Sequence, residues 1–383
     1  MRFPEILVDP SIILLSFLLF LLPQVGSAQP AAQSSSVQPP SVTQSTPNPE
    51  PVDGPHVTVD NSGVDPVTGI PYYKEIREDW SSLQVGSSEL HPEEPLVTLP
   101  DDTATFTRTL IALKWRPGDA LDVYVVLPKG VKKPPVVLYL YNYADDTDRF
   151  KNDGWCQRVT SGGVAAIGFV SALSGHRFHD RPMKQWFVSE LQESLGSTVH
   201  DVKFILDYLA SRGDVDLDRI GMFGQGSGAT ISLLAAAADS RIKAVDALDP
   251  WGDWAVWLAK SPIGADDPER ASRLKPAFLK QVATLDPVQW LPKMRTPHIR
   301  IQQNLEDAST PRVSKNRIKA AAPKQTVFNR FDTTAVFMNA EGRGHLFDWV
   351  KESLAKPVAP PQKNTAVASR NTTKTGAKAP FRR

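Results

Sequence analysis

Cysteine is almost absent. Cys156 is the only one in 383 residues, so the chain can build neither an intrachain disulfide framework nor a cysteine-based metal site. A surplus of charge is missing too: the formal net charge is +1, whereas a nucleic-acid binder needs a concentrated basic face. No internal repeat is visible. The apolar run Ile12–Leu22 spans about 11 residues, too few for an ordinary membrane span of roughly 20.

What is present is ordinary for a globular protein: 41% hydrophobic and 22% charged residues. The run Ile12–Leu22, followed by the small residues Gly26, Ser27 and Ala28, reads as a secretory signal peptide over residues 1–28. Because Glu5 and Asp9 offset Arg2, an uncleaved membrane anchor is the other reading. Either places the mature domain outside the cytoplasm, secreted or periplasmic. Residues 29–66 are rich in Pro, Ser, Gln and Thr and cannot bury enough surface to offset their ordering entropy, so a disordered linker is expected. Residues 356–383 carry Lys363, Arg370, Lys374, Lys378, Arg382 and Arg383 and read as a basic disordered tail. The tail or the N-terminal segment could associate loosely with an anionic envelope surface; a solvated extension is the plainer reading. One domain is expected over residues 67–355.

Within that domain strands and helices alternate. Thr103–Leu113 and Leu121–Leu127 read as paired strands around Pro117 and Gly118. Val136–Leu140 and Val164–Val170 are compact apolar runs suited to strands buried on both faces. Val199, Val202, Ile205, Leu206 and Leu209 recur at helical spacing, with Thr198 and Asp201 resembling a capping-box start. Further strands are expected at Arg219–Phe223, Ile242–Leu248 and His298–Gln302, and helices at Ala229–Ala238, Arg312–Ala322 and Leu346–Leu354. The fold class is therefore α/β, a mostly parallel sheet with helices on both faces. The stretch at about 251–289 breaks this rhythm and reads as a small cap insertion. Its Trp251, Trp254 and Trp257 recur every third position, as a packing face by default and as a ligand platform in the sharper reading.

The densest signal is Gly224-Gln225-Gly226-Ser227-Gly228, between an apolar strand and an alanine-rich helix. A nucleophile elbow, Gly-x-Ser-x-Gly, has this layout, with its serine on a sharp strand-to-helix turn. Here the central position is Gly226 and the serine stands one residue late. Either the turn is shifted so that Ser227 serves, or Ser227 belongs only to the helix start. For the shift, the strand must run one residue longer, leaving Gln225 and Ala229 at the crowded flanking positions.

From Thr103 to Leu354 the chain resembles the α/β-hydrolases, nearest the dienelactone hydrolase and prolyl oligopeptidase-like branches, through Arg219-Ile220-Gly221 and the elbow glycines. The resemblance implies a triad in the chain order Ser, Asp or Glu, His. Ser227 is then the nucleophile. Asp307, four residues before Pro311, is the acid, and His345 in Gly342-Arg343-Gly344-His345 is the base. Glu306, Asp249 or Asp253 could supply the acid instead. The chemistry needs these types because a serine hydroxyl attacks only when a histidine takes its proton, and the acid fixes and stabilises that histidine. On the oxyanion side, many relatives carry His-Gly where this chain has Tyr141-Asn142-Tyr143-Ala144; a backbone donor near Tyr143, the Asn142 amide and the backbone at Gly228 are the candidates. His176, with His179 and Asp180, lies on a loop read as substrate-contacting or salt-bridged rather than metal-binding. Cys156 reads as a small buried hydrophobe. The expected function is cleavage of a small-molecule ester or acyl substrate by an exported protein, with no cofactor. The alternative is an inactive homologue that binds a ligand or partner in the crevice.

Overall fold

Successive residues of the strand Pro135–Leu140 face opposite ways, and both sets are buried. Val136, Leu138 and Leu140 enter one hydrophobic cluster, while Val137 and Tyr139 enter another. A strand so placed must lie in the middle of a sheet covered on both sides. The computed structural model describes residues 56–64, 71–85, 92–116, 119–141, 147–172, 191–263, 270–341 and 346–355.

The strands are β1 (His56–Val64), β2 (Pro71–Glu78), β3 (Leu96–Val97), β4 (Asp101–Asp102), β5 (Phe106–Arg116) and β6 (Asp119–Pro128). They continue as β7 (Pro135–Leu140), β8 (Ala165–Phe169), β9 (Asp216–Gln225), β10 (Ile242–Leu248), β11 (His298–Asn304) and β12 (Val327–Phe331). β1 and β2 form their own antiparallel pair. The main sheet runs in the order β12-β11-β10-β9-β7-β8-β6-β5-β3, with β4 also paired to β5. From β12 to β8 all neighbours are parallel; β8–β6, β6–β5 and β5–β3 are antiparallel.

The helices are α1 (Asp153–Thr160), α2 (Leu191–Arg212), α3 (Ser227–Ala238), α4 (Trp254–Lys260) and α5 (Arg270–Arg273). After them come α6 (Pro276–Val282), α7 (Pro287–Trp290), α8 (Arg312–Ala321), α9 (Thr334–Glu341) and α10 (Asp348–Ala355). Val199, Ile205 and Leu209 of α2, Ile231 and Leu234 of α3 and Ile318 of α8 fill the first cluster. Cys156 and Val159 of α1, Phe337 of α9 and Val350 and Leu354 of α10 fill the second. Each fully buried Leu, Val or Phe contributes about 1.5–3 kcal/mol relative to exposure. The expected α/β class, with a mostly parallel sheet and helices on both faces, is the observed one.

Two local expectations change. Thr198 and Asp201 do not start a helix, because α2 is already running from Leu191. Thr198 Oγ1 instead donates to Ser194 O one turn back at 2.7 Å and accepts from Ala172 N at 2.9 Å. Asp201 is fully buried and accepts from Trp115 Nε1 and from Arg116, so tertiary charge pairing and not capping fixes it. β1 falls inside the stretch read as linker, where Val57, Thr58 and Val59 are β-branched and suit a strand. The edge strand β12 and α9 escaped the sequence reading.

One buried ion cluster joins β2 to the main domain. Arg116 grips the Glu78 carboxylate through Nε at 2.7 Å and Nη2 at 2.6 Å. His200 Nδ1 lies 2.6 Å from the same carboxylate, and its Nε2 lies 2.8 Å from Ser82 O. Burial alone would raise Glu78; hydrogen bonds and charge from Arg116, then His200, overcome it and hold the carboxyl well below its ordinary range.

Candidate active-site crevice

β9, β10 and β11 end side by side, at Gln225, Leu248 and Asn304. In open α/β sheets the crevice lies beyond such carboxyl ends. At the end of β9 the chain turns sharply into α3. The apex is Gly226, with φ 56° and ψ −117°, and its N–H donates to Leu248 O at 2.9 Å.

The glycines on either side fix the frame. A Cβ on Gly224 would stand 2.3 Å from Gly228 O, and one on Gly228 would stand 2.2 Å from Leu140 O. These are backbone atoms that cannot swing away, so Gly224 and Gly228 are the crowded flanks and Gly226 is the centre. β9 stops at Gln225 and does not run the extra residue that a shifted turn needs. Ser227 is the first residue of α3 and is fully buried.

The segment after β10 is built against this turn. Trp251 N donates to Thr230 Oγ1 at 2.8 Å, and that hydroxyl donates to Trp251 O at 2.9 Å. Asp249 and Asp253 take positive φ, 47° and 59°, a left-handed backbone uncommon outside glycine. Asp286 closes the segment by accepting from Asp253 N at 3.0 Å and Trp254 N at 3.1 Å. The three tryptophans are buried, with Trp251 and Trp257 ring centres 4.9 Å apart and Trp254 edge-on to Trp257 at 5.6 Å. They pack the cap region onto the domain and present no open platform.

The acid side is organised around a lysine. Asp307 sits just beyond β11 and accepts from Ser309 N at 3.1 Å and Ser309 Oγ at 2.6 Å. Lys315 of α8, almost wholly buried, donates to Asp307 O at 2.7 Å and to Asn304 O. Its Nζ also lies 3.4 Å from Asp249 Oδ1 and 3.6 Å from Asp307 Oδ2. Asp249 accepts from Asn304 N at 2.9 Å. Burial pushes Asp249 up, Lys315 opposes, and the negative Asp307 adds to the rise, leaving it at about 7. The other acid candidates are engaged elsewhere: Glu306 Oε2 accepts from Thr334 N at 2.7 Å, and Asp253 pairs with Arg317 at 2.8 Å.

Asn142, Tyr143, His176 and His345 lie outside the described residues. The described residues that flank segment 342–345 both contact one guanidinium. Arg300 Nη2 donates to Leu346 O at 3.0 Å, and Nη1 lies 3.6 Å from Glu341. Arg300 is itself held by Asp246 through two bonds of 2.9 and 2.6 Å. Neither Lys315 nor Arg300 was singled out in the sequence. Lys315 was recoverable, since it stands three residues before Ile318 on the buried stripe of α8. Cys156 is buried, donates to Phe150 O at 3.2 Å and is pushed up by burial, which leaves it a structural thiol. Among the described residues no group of three or more His, Cys, Asp or Glu is placed to hold a metal ion.

No family model matches the chain. "Putative hydrolase YtaP" of Bacillus subtilis is 32% identical over 136 residues, a match spanning 31% of this chain and 45% of that protein. Among solved structures, the acetyl xylan esterase from Paenibacillus sp. R4 has a TM-score of 0.53 at 15% identity, covering 71% of this chain and 90% of its own. Acetyl xylan esterase 1 from Thermoanaerobacterium sp. has a TM-score of 0.52 at 13% identity, covering 68% and 89%. The acylaminoacyl peptidase of Pyrococcus horikoshii has a TM-score of 0.51 at 16% identity, covering 67% and 43%. With its sheet order and the glycine turn from β9 into α3, this chain has the α/β-hydrolase fold.

Proposed function

We propose that this protein uses the α/β-hydrolase crevice to bind a small ester or acyl compound without forming an acyl-enzyme. The observation that carries this reading is Gly226 at the apex of the turn, flanked by two glycines that admit no Cβ. Covalent acyl transfer needs a nucleophilic side chain within reach of its base, and glycine has none. The choice of ligand class is supported by the esterase and peptidase likenesses and by the partial match to a hydrolase-named relative. The test is reaction of the folded protein with a fluorophosphonate probe. No labelling is expected. Labelling that disappears in Ser227→Ala would overturn the reading in favour of an esterase.

That esterase is the second reading, with Ser227, Asp307 and His345 as nucleophile, acid and base, Gly228, Asn142 and Tyr143 on the oxyanion side, and His176 at the rim. Two observations favour it: a hydroxyl one residue from the apex, and an acid loop held in place by Ser309 and Lys315. Export, loose envelope association and a secreted or periplasmic location belong to the proposal too. The apolar run Ile12–Leu22 supports them, and N-terminal sequencing of the mature protein from culture fluid or periplasm tests them.

A further inference from the structure

Two carboxylates and one cation meet where β10 and β11 end, and the cation has no access to water: Lys315 is 1% exposed. A buried ammonium must spend its three protons on acceptors. Those acceptors are the main chain of the acid loop, at Asn304 O and Asp307 O, and the two carboxylates at 3.4 and 3.6 Å. We propose that Lys315 is the positioning residue of the crevice's acid side, one ammonium that pins the Asp307 loop and is shared between Asp249 and Asp307.

The sharing has a chemical consequence. One positive charge cannot neutralise both the buried Asp249 carboxylate and the half-buried Asp307 carboxylate, so one of them carries a proton through part of the physiological range. The groups facing Asp249 are Lys315 from α8, Asp307 from the loop after β11 and Asn304 N from β11. Asp249 is the more buried of the two acids, with 12% of its side chain exposed against 23% for Asp307, so it is the one that holds the proton. Asp249 is also fixed to the turn. It follows Leu248, whose carbonyl accepts from Gly226, and its own N–H donates to Gln302 O at 2.8 Å. The proton it gains or loses therefore changes charge beside the apex. The inference rests on the proposed function for its biological meaning alone.

The experiment is a carboxyl carbon NMR titration of the full chain with labelled aspartate. One carboxyl titrates near neutral pH, and Asp249→Asn removes that titration. Lys315→Met raises its midpoint and Asp307→Asn lowers it, each by about one pH unit. A lysine that merely fills space would leave the midpoint unmoved in Lys315→Met. Persistence of the neutral titration in Asp249→Asn overturns the inference, as does any pattern other than opposite shifts. If Lys315→Met does not fold, Lys315→Gln takes its place: a raised midpoint supports the sharing, and an unchanged one overturns it. No ligand or probe enters the measurement, so its failure is distinct from failure of the binding reading.

Discussion

Gly224 and Gly228 face each other so closely that a methyl group on the first would lie 2.3 Å from the carbonyl oxygen of the second. The contact is between β9 and the first turn of α3, and it sets the angle at which the helix leaves the sheet. Gly224→Ala is expected to cost about 3 kcal/mol, because backbone on both sides must shift. Urea unfolding of the variant against the parent measures this. An unchanged midpoint would mean that the turn is looser than the contact implies.

Gly226→Ser is expected to give a folded protein that gains fluorophosphonate reactivity absent from the parent. The side chain would project from the apex, at a backbone cost of about 1–3 kcal/mol for a non-glycine residue at φ 56°. Intact-mass spectrometry after probe treatment reads the adduct. A folded variant that stays unlabelled would show that the base and oxyanion side are not arranged for acyl transfer.

Arg116→Met is expected to be severe. It strands the carboxylates of Glu78 and Asp201 in the interior, and breaking such a buried set costs about 3–5 kcal/mol. The companion pH effect has a definite sign. Glu78 is held below its unfolded value of 4.5, so its stabilisation is present above that value and is lost as pH falls. Glu78→Gln should flatten the acid limb of a plot of melting temperature against pH.

Asp249 acts in the other direction and in another window. Its folded value of about 7 lies above the unfolded 3.8, so between these the native state holds more protons than the unfolded chain. Stability contributed by the protonated form is present below 3.8 and is lost as pH rises through about 7. Asp249→Asn should remove this decline. Denaturant midpoints from pH 4 to 8 (roughly the window over which a carboxyl raised by burial titrates) decide it. A slope retained in the variant would assign the effect to another group.

Much of the fold was legible because buried parallel strands advertise themselves. Val136–Leu140 is apolar at every position, since helices cover both faces of that strand. The glycine spacing of the turn was equally plain, and only its frame stood open. What escaped was set by partners far away in sequence. Thr198 has the chemistry of a helix cap, yet its hydroxyl is spent on Ser194 O and Ala172 N within a longer helix. Val327–Phe331 carries Asn329 and Arg330 because β12 is an edge strand, and polar residues there mask the strand pattern. The position of Lys315 on the buried stripe of α8 was readable, but its partners Asp249, Asn304 and Asp307 were not. On the acid side Asp307 follows β11 in a loop held by Ser309 and Lys315.

The sole thiol is carried on the buried face of α1, against Phe150 and the Arg108 guanidinium. Disulfide reagents can therefore reach it only when that face of the sheet opens. The protein carries a built-in clock for its own breathing: the rate at which Cys156 is modified counts excursions of the α1 layer, with no engineered reporter and no second cysteine to confuse the signal.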